Sequence, residues 1–404
     1  MKKDITIRVK GPLMQPQEPA PTNPAQPSLR AFLELGFRPL YIAGTSWALI
    51  AVLLWIFAPQ WLLGPLSGLA WHAHEMLWGF VVTIAVGFLM TAGANWTGIN
   101  PMHSRTLAVA ASLWLVARIG FLVPSLTAFW IASAAELCFF LMAAVGMGRS
   151  VVLSRNQRNY AVPLLLAGLG ALDALYLTAA LDGGDYAVLM QRMQAALVLM
   201  ALVALLVGRR VIPFFAMRAT PGLTIPMHTH SGWVQLGASA VAVASLLAGW
   251  SWLTALACLV AGALAVVQII SWKPLAVRTN ALLWILYVGY VLLGLGLLFA
   301  AAHAAGLDLP RVLSVHVIAM GGFSVLIIGM VTRTALGHLG RPLATDKTIR
   351  TSYWLILAAV ALRLAAIAPS LASPWLLRAA ALAWITGLGL YLWQFVPMLI
   401  RPRL

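Results

Sequence analysis

Trp71-His72-Ala73-His74-Glu75-Met76 puts two imidazoles and a carboxylate near the start of a long apolar run. Those groups ligate metals and carry protons. Ionisable side chains entering lipid are costly, so a metal, a prosthetic group or a partner must hold them. A second histidine, His316, is followed by Met320 and Gly321-Gly322, and small residues there let a flat macrocycle or a neighbouring helix approach the backbone. Arg118, Arg192 and Arg363 also fall inside apolar runs. A guanidinium keeps its charge, so each must face protein, water or an anion. The propionates of a haem are anions that suit bidentate arginines. The same arginines can instead pair with Glu75, Glu136 or Asp173, which lie in apolar runs as well.

The elements that carry these groups are membrane helices. Of the 404 residues 62% are hydrophobic and 9% charged, with a mean hydropathy of +0.92, against about 25% charged in soluble domains. Runs long enough to cross a bilayer core of about 30 Å as a helix lie near 40–63, 72–93, 105–123, 126–147, 160–181, 187–208, 231–249, 251–271, 280–302, 311–333, 352–369 and 375–398. Twelve spans predict an all-α polytopic bundle over residues 31–404. The preceding residues 1–30, with Pro12, Pro16, Pro19, Pro21, Pro24 and Pro27, predict a disordered cytoplasmic leader and lack the charged start and apolar run of a signal peptide.

The net charge of +16 does not mark a nucleic-acid binder, because the basic residues fall in alternate loops. Arg105, Arg149, Arg155, Arg158, Arg209, Arg210, Arg218, Lys273, Arg278, Arg333, Arg341, Lys347 and Arg350 share one side with both tails. That is the positive-inside pattern for an even number of spans, with both termini cytoplasmic. Depth follows from the 1.5 Å rise per residue. His72, His74, Glu75, His303, His316, Arg118, Arg192 and Arg363 are then predicted near the outer face, and His103, His228, His230 and His338 near the inner one. His338, in Gly337-His338-Leu339-Gly340-Arg341-Pro342, occupies a turn that either binds an anion or braces helix ends. His228-Thr229-His230 has a copper-like spacing but no third ligand in view, which favours a solvated loop. Cys138 and Cys258 lie in separate spans and imply neither a disulfide nor a thiolate site.

In a regular helix, residues two apart project about 200° from one another, so His72 and His74 face different partners. On this winding His72, Glu75, Met76 and Gly79 share one face, and His74 and Trp78 share the other. A helix that begins only after His72 would instead let the imidazoles converge. The sequence is compatible with both arrangements.

Arg38-Pro39, the block from Trp71 to Phe80, Asn95-Trp96-Thr97-Gly98, the block from Gly208 to Phe215, His316, and the block from Met330 through Arg333 to Pro342 occur together and in order across nearly the whole chain. In this combination the chain resembles the NnrS family. The resemblance implies a multi-pass protein of the bacterial cytoplasmic membrane that binds haem and copper and acts in nitric oxide metabolism and nitrosative-stress protection. It places His72, His74, His316 and His338 among the candidate metal ligands; Arg118, Arg192, Arg363, Arg333 and Arg341 are the basic residues expected to hold a cofactor. At Tyr287 the resemblance leads one to expect a histidine, so this chain has one ligand fewer if that position ligates.

The chemistry expected is reduction of nitric oxide to nitrous oxide by an oxidoreductase, with a quinol or small electron carrier as donor and Glu75 as the acid. No CxxCH is present, so the haem is of the non-covalent b type. Alternative readings are a transporter or copper-handling protein, and a haem sensor that binds nitric oxide without turnover.

Overall fold

A computed structural model of the chain describes residues 26–181, 185–368 and 370–404. Residues 1–25 of the expected leader lie outside the described residues. Among the described residues every regular element is helical. A short turn, Leu29–Phe32, precedes α1 (Phe37–Phe57), α2 (Gly68–Thr97), α3 (Ser104–Gly120) and α4 (Leu126–Leu153). The chain continues through α5 (Ala161–Leu181), α6 (Tyr186–Ala219), α7 (Thr229–Ala248) and α8 (Ser251–Ser271), and then α9 (Ala281–Ala304), α10 (Arg311–His338), α11 (Lys347–Ala365) and α12 (Pro374–Leu399). Each expected span holds one of these helices. Among the described residues eleven helices are long and apolar enough to cross a membrane, and α3, at 17 residues, is shorter than those eleven. The molecule is a multi-pass membrane bundle.

Local sequence sets the helix ends. Ser125, Asp185, Asn280, Asp346 and Ser373 accept from backbone N–H groups in the first turn of the helices that follow them, which satisfies donors the helix itself leaves open. Gly98 and Gly249 take φ of +72° just beyond α2 and α7, where a side chain would be strained. Helix α6 runs on past the expected end at 208 and carries Pro213 within its last turns. At 34 residues it is longer than a bilayer core requires, so its basic end with Arg209, Arg210 and Arg218 reaches beyond the apolar layer.

Hydrogen bonds gather the two ends of the described chain, near Ser28 and Leu404, on one face. Ser28 N donates to Ile400 O at 2.9 Å, Arg38 Nη1 to Leu399 O at 3.0 Å, and Leu404 N to Leu339 O at 3.2 Å. Asn100 Nδ2 donates to Glu34 O at 2.8 Å, and Asn156 Nδ2 to Trp96 O at 2.8 Å. These contacts bring the α2–α3 and α4–α5 turns, the end of α10, the segment that leads into α1 and the C-terminal residues together, as an even number of crossings requires, and this is the basic end of the bundle.

Helices α2 and α6 form the centre: 83% and 78% of their most apolar windows are buried, against 33% for the peripheral α7 and α11. Two of the inner helices share an irregularity. Helix α2 is π-helical over Glu75–Val82, and α10 over Val317–Ser324. Each segment begins next to a histidine singled out by the sequence. Thr83 Oγ1 donates to Trp78 O at 2.9 Å and Ser324 Oγ to Ala319 O at 2.9 Å, each five residues back, so a hydroxyl satisfies a carbonyl in or beside each widened turn. Such segments are rare and concentrate at functional sites.

Candidate functional site

The π-helical segment of α2 divides its side chains between two compartments. The wider turn advances each residue by less than the roughly 100° of an α-helix. His72 and Ala73, Met76 and Leu77, and Phe80 and Val81 therefore stack along one side, where all six line a cavity of about 350 Å³. His74 and Glu75, Trp78 and Gly79, and Thr83 occupy the other side. Glu75 and Gly79 accordingly leave the face that regular winding assigns them with His72 and join His74. The two imidazoles do not converge.

The cavity lies between α2 and α10. His316 and Met320 line it from α10, repeating the four-residue spacing of His72 and Met76 in α2, and Arg311, Arg363, Gln194, Met190, Met193 and Trp384 complete much of its wall. His316 Nδ1 lies 2.9 Å from Val312 O, so it carries the hydrogen and leaves Nε2 with its lone pair. A histidine held in this way is ready to ligate. The ring of His72 stacks on Trp55 at 4.9 Å and 10°, and its Nδ1 is buried with no hydrogen-bond partner. Among the described residues no carboxylate lines the cavity, and neither Arg311 nor Arg363 makes an ion pair. Arg311 Nε instead points to His303 Nε2 at 3.4 Å, while His303 Nδ1 lies 2.9 Å from Leu309 O. His303 therefore braces the α9–α10 loop.

Behind α2 lies a closed polar cluster. His74 Nδ1 is 2.9 Å from Glu75 Oε1; its Nε2 is 2.9 Å from Asp173 Oδ1 and 3.3 Å from Glu136 Oε2. Arg118 bridges the acids, donating from Nη1 to Glu75 Oε2 at 2.5 Å and from Nη2 to Glu136 Oε1. Trp47 Nε1 also donates to Glu75 Oε2, at 2.5 Å. His74, Glu75, Arg118 and Asp173 have no exposed surface, and Glu136 has 1%. Five helices (α1, α2, α3, α4 and α5) each contribute a residue. Gly79 makes room for the cluster: a Cβ there would lie 2.5 Å from Arg118 Nη1 and 2.7 Å from Glu75 Oε2.

The remaining candidates lie elsewhere. Arg118 belongs to this cluster and does not line the cavity. Arg192 donates to Leu175 O and lies 3.4 Å from Thr178 Oγ1, tying α6 to α5. His338 ends α10 some 22 residues past His316, about 30 Å along the helix. There its ring lies 5.4 Å from that of Phe37, and Arg333 sits over the Phe215 ring at 4.0 Å. His338, Arg333 and the half-buried Arg341 thus lie at the basic end. His228, outside α7, lies 3.2 Å from Ser231 Oγ and 2.5 Å from Ser271 Oγ, and partial burial lowers its pKa; His230 is exposed. Tyr287 donates to Trp272 O at 3.1 Å in the first turns of α9.

A family model described as NnrS protein matches residues 31–403, nearly the whole chain. The chain belongs to the NnrS family. Among curated proteins none matches it. NnrS membership supports a role in the nitric oxide response. It fits the placement of these blocks, since Arg38, Trp71–Phe80 and Met330–His338 lie on α1, α2 and α10, three helices of this NnrS bundle that pack against one another.

Proposed function

We propose that this chain binds a b-type haem and copper in the bacterial cytoplasmic membrane and acts on nitric oxide, with both termini in the cytoplasm. One observation carries the reading: the cavity between the π-interrupted helices presents two histidines and two guanidinium groups, and no carboxylate among its described lining residues. Its volume of about 350 Å³ falls in the range in which cofactors bind. A haem supplies an iron that binds nitrogen oxides and passes single electrons.

The residues fit such a group. His316 presents Nε2, set by the contact of Nδ1 with Val312 O, and His72 has a buried nitrogen without a partner. Arg311 and Arg363 are suited to carboxylates. Met76 and Met320, one turn from each histidine, add the soft thioethers that copper(I) favours. Trp55 fixes the plane of the His72 ring, and the wall is otherwise largely apolar. A smaller apolar cavity of about 90 Å³ shares Val81 with the first and offers room to a small neutral molecule.

Reduction of two nitric oxide molecules to nitrous oxide and water consumes two electrons, from a quinol or small carrier, and two protons. Glu75 does not line the cavity, so we assign it to orienting His74. Because no described carboxylate reaches the cavity to deliver those protons, binding of nitric oxide without turnover is the second reading. Absorption spectra of the purified protein test both. Added nitric oxide is expected to shift the Soret band, and an unchanged band refutes both readings; nitrous oxide release separates turnover from binding.

A further inference from the structure

The cluster behind α2 has a donor shortage around one atom. Nε2 of His74 carries at most one hydrogen. Two carboxylate oxygens compete for it, Asp173 Oδ1 at 2.9 Å and Glu136 Oε2 at 3.3 Å. Glu136 Oε2 and Asp173 Oδ2 are both buried without a hydrogen-bond partner, although unsatisfied acceptors in an apolar interior are costly. Charge points the same way. Three carboxylates face one guanidinium, so with a neutral imidazole the enclosed set is two positive charges short.

We propose that His74 Nε2, Asp173 and Glu136 hold a divalent cation of the zinc, iron(II) or manganese class, at a site distinct from the cavity. One such ion cancels the charge deficit and takes Glu136 Oε2, one of the two orphaned oxygens, as a ligand. The three ligand atoms lie within 4.8 Å of one another. Ligands about 2.0–2.2 Å from a tetrahedral centre stand roughly 3.3–3.6 Å apart, and the His74–Glu136 separation is already 3.3 Å. Asp173 needs to open by a few tenths of an ångström. Its second oxygen has no other contact to keep.

The surroundings match a metal ligand set. Glu75 Oε1 faces Nδ1 at 2.9 Å and so fixes the ring with Nε2 toward the acids, the carboxylate–histidine–metal arrangement. Arg118 holds the outer oxygen of Glu136 and leaves Oε2 turned inward. One nitrogen and two carboxylates favour a borderline or hard divalent ion over copper(I). The ion competes with protons for these ligand atoms, so its retention falls as the pH is lowered.

The test uses the full chain purified in detergent after exposure to zinc or cobalt(II) and removal of free metal. Elemental analysis is expected to give one ion per chain, and cobalt to give the intense visible bands of a four-coordinate site. Asp173→Asn and Glu136→Gln should lose at least nine-tenths of the ion, whereas His72→Ala and His316→Ala should keep it. Wild-type protein that retains no ion, or only the weak bands of hydrated cobalt, overturns the proposal without recourse to any variant. Retention in Asp173→Asn, or loss in both cavity variants, overturns it equally. Haem content read on the same samples reports on the cavity, so the two readings fail separately.

Discussion

His72 and His74 stand two residues apart in α2 and serve opposite sides of it. His72 lines the cavity and stacks on Trp55, while His74 is enclosed by Glu75, Glu136 and Asp173. Substitution at the two positions should therefore have separable effects. His72→Ala is expected to lower the haem bound per chain with little change in thermal stability; His74→Gln should lower the melting temperature and spare haem. Pyridine haemochrome spectra beside thermal unfolding in detergent give both readouts, and equal haem loss in the two variants contradicts the separation.

Arg118 bridges two buried carboxylates, Glu75 and Glu136. Its removal strands buried carboxylates, which costs about 3–5 kcal/mol. Arg118→Ala should therefore yield little folded protein by size-exclusion chromatography. Adding Glu75→Gln and Glu136→Gln should restore a substantial part of that yield, since the stranded charge is then gone.

Gly79 leaves no space for a methyl group against Arg118 and Glu75. Gly79→Ala is expected to cost about 1–3 kcal/mol through overpacking, seen as a lower melting temperature. The same substitution at Gly237, where nothing lies within 4 Å of an added Cβ, should be neutral or slightly stabilising.

Arg311 and Arg363 are expected to meet the acidic groups of the bound cofactor. Replacing either by Gln should weaken haem binding roughly tenfold or more, the worth of a charge-assisted hydrogen bond. Haem dimethyl ester, which lacks those charges, should bind the variants and the wild type alike. A titration in which both haem forms lose affinity to the same degree refutes the assignment.

The spans were legible because each is a long apolar run, and the even crossing number was legible from the alternation of basic loops. The divergence of His72 and His74 was one of two arrangements open to the sequence, and the start of the helix at Gly68, ahead of His72, decides it. The sequence did not place Glu75 and Gly79, whose side of α2 is set by the π-helical turn. A shift from four- to five-residue hydrogen bonding leaves no periodic mark over eight residues. The meeting of Arg118, Glu136 and Asp173 was one of several pairings open to buried charges, and only the packing of α2 to α5 selects it. Arg192 was grouped with the others by depth, but depth says nothing of azimuth, and its side chain turns to the backbone of α5.

The polypeptide between the two compartments is a single helix. A helix with its side chains is about 10 Å across, so α2 acts as a thin insulating partition with a charged chamber on either side. At an effective dielectric constant of about 20, one unit of charge gained on one side changes the energy of a unit charge on the other by roughly 1.5 kcal/mol, about a tenfold change in an equilibrium constant. A change of net charge in the cavity is thereby felt electrically by the cluster, without any movement of the helix between them.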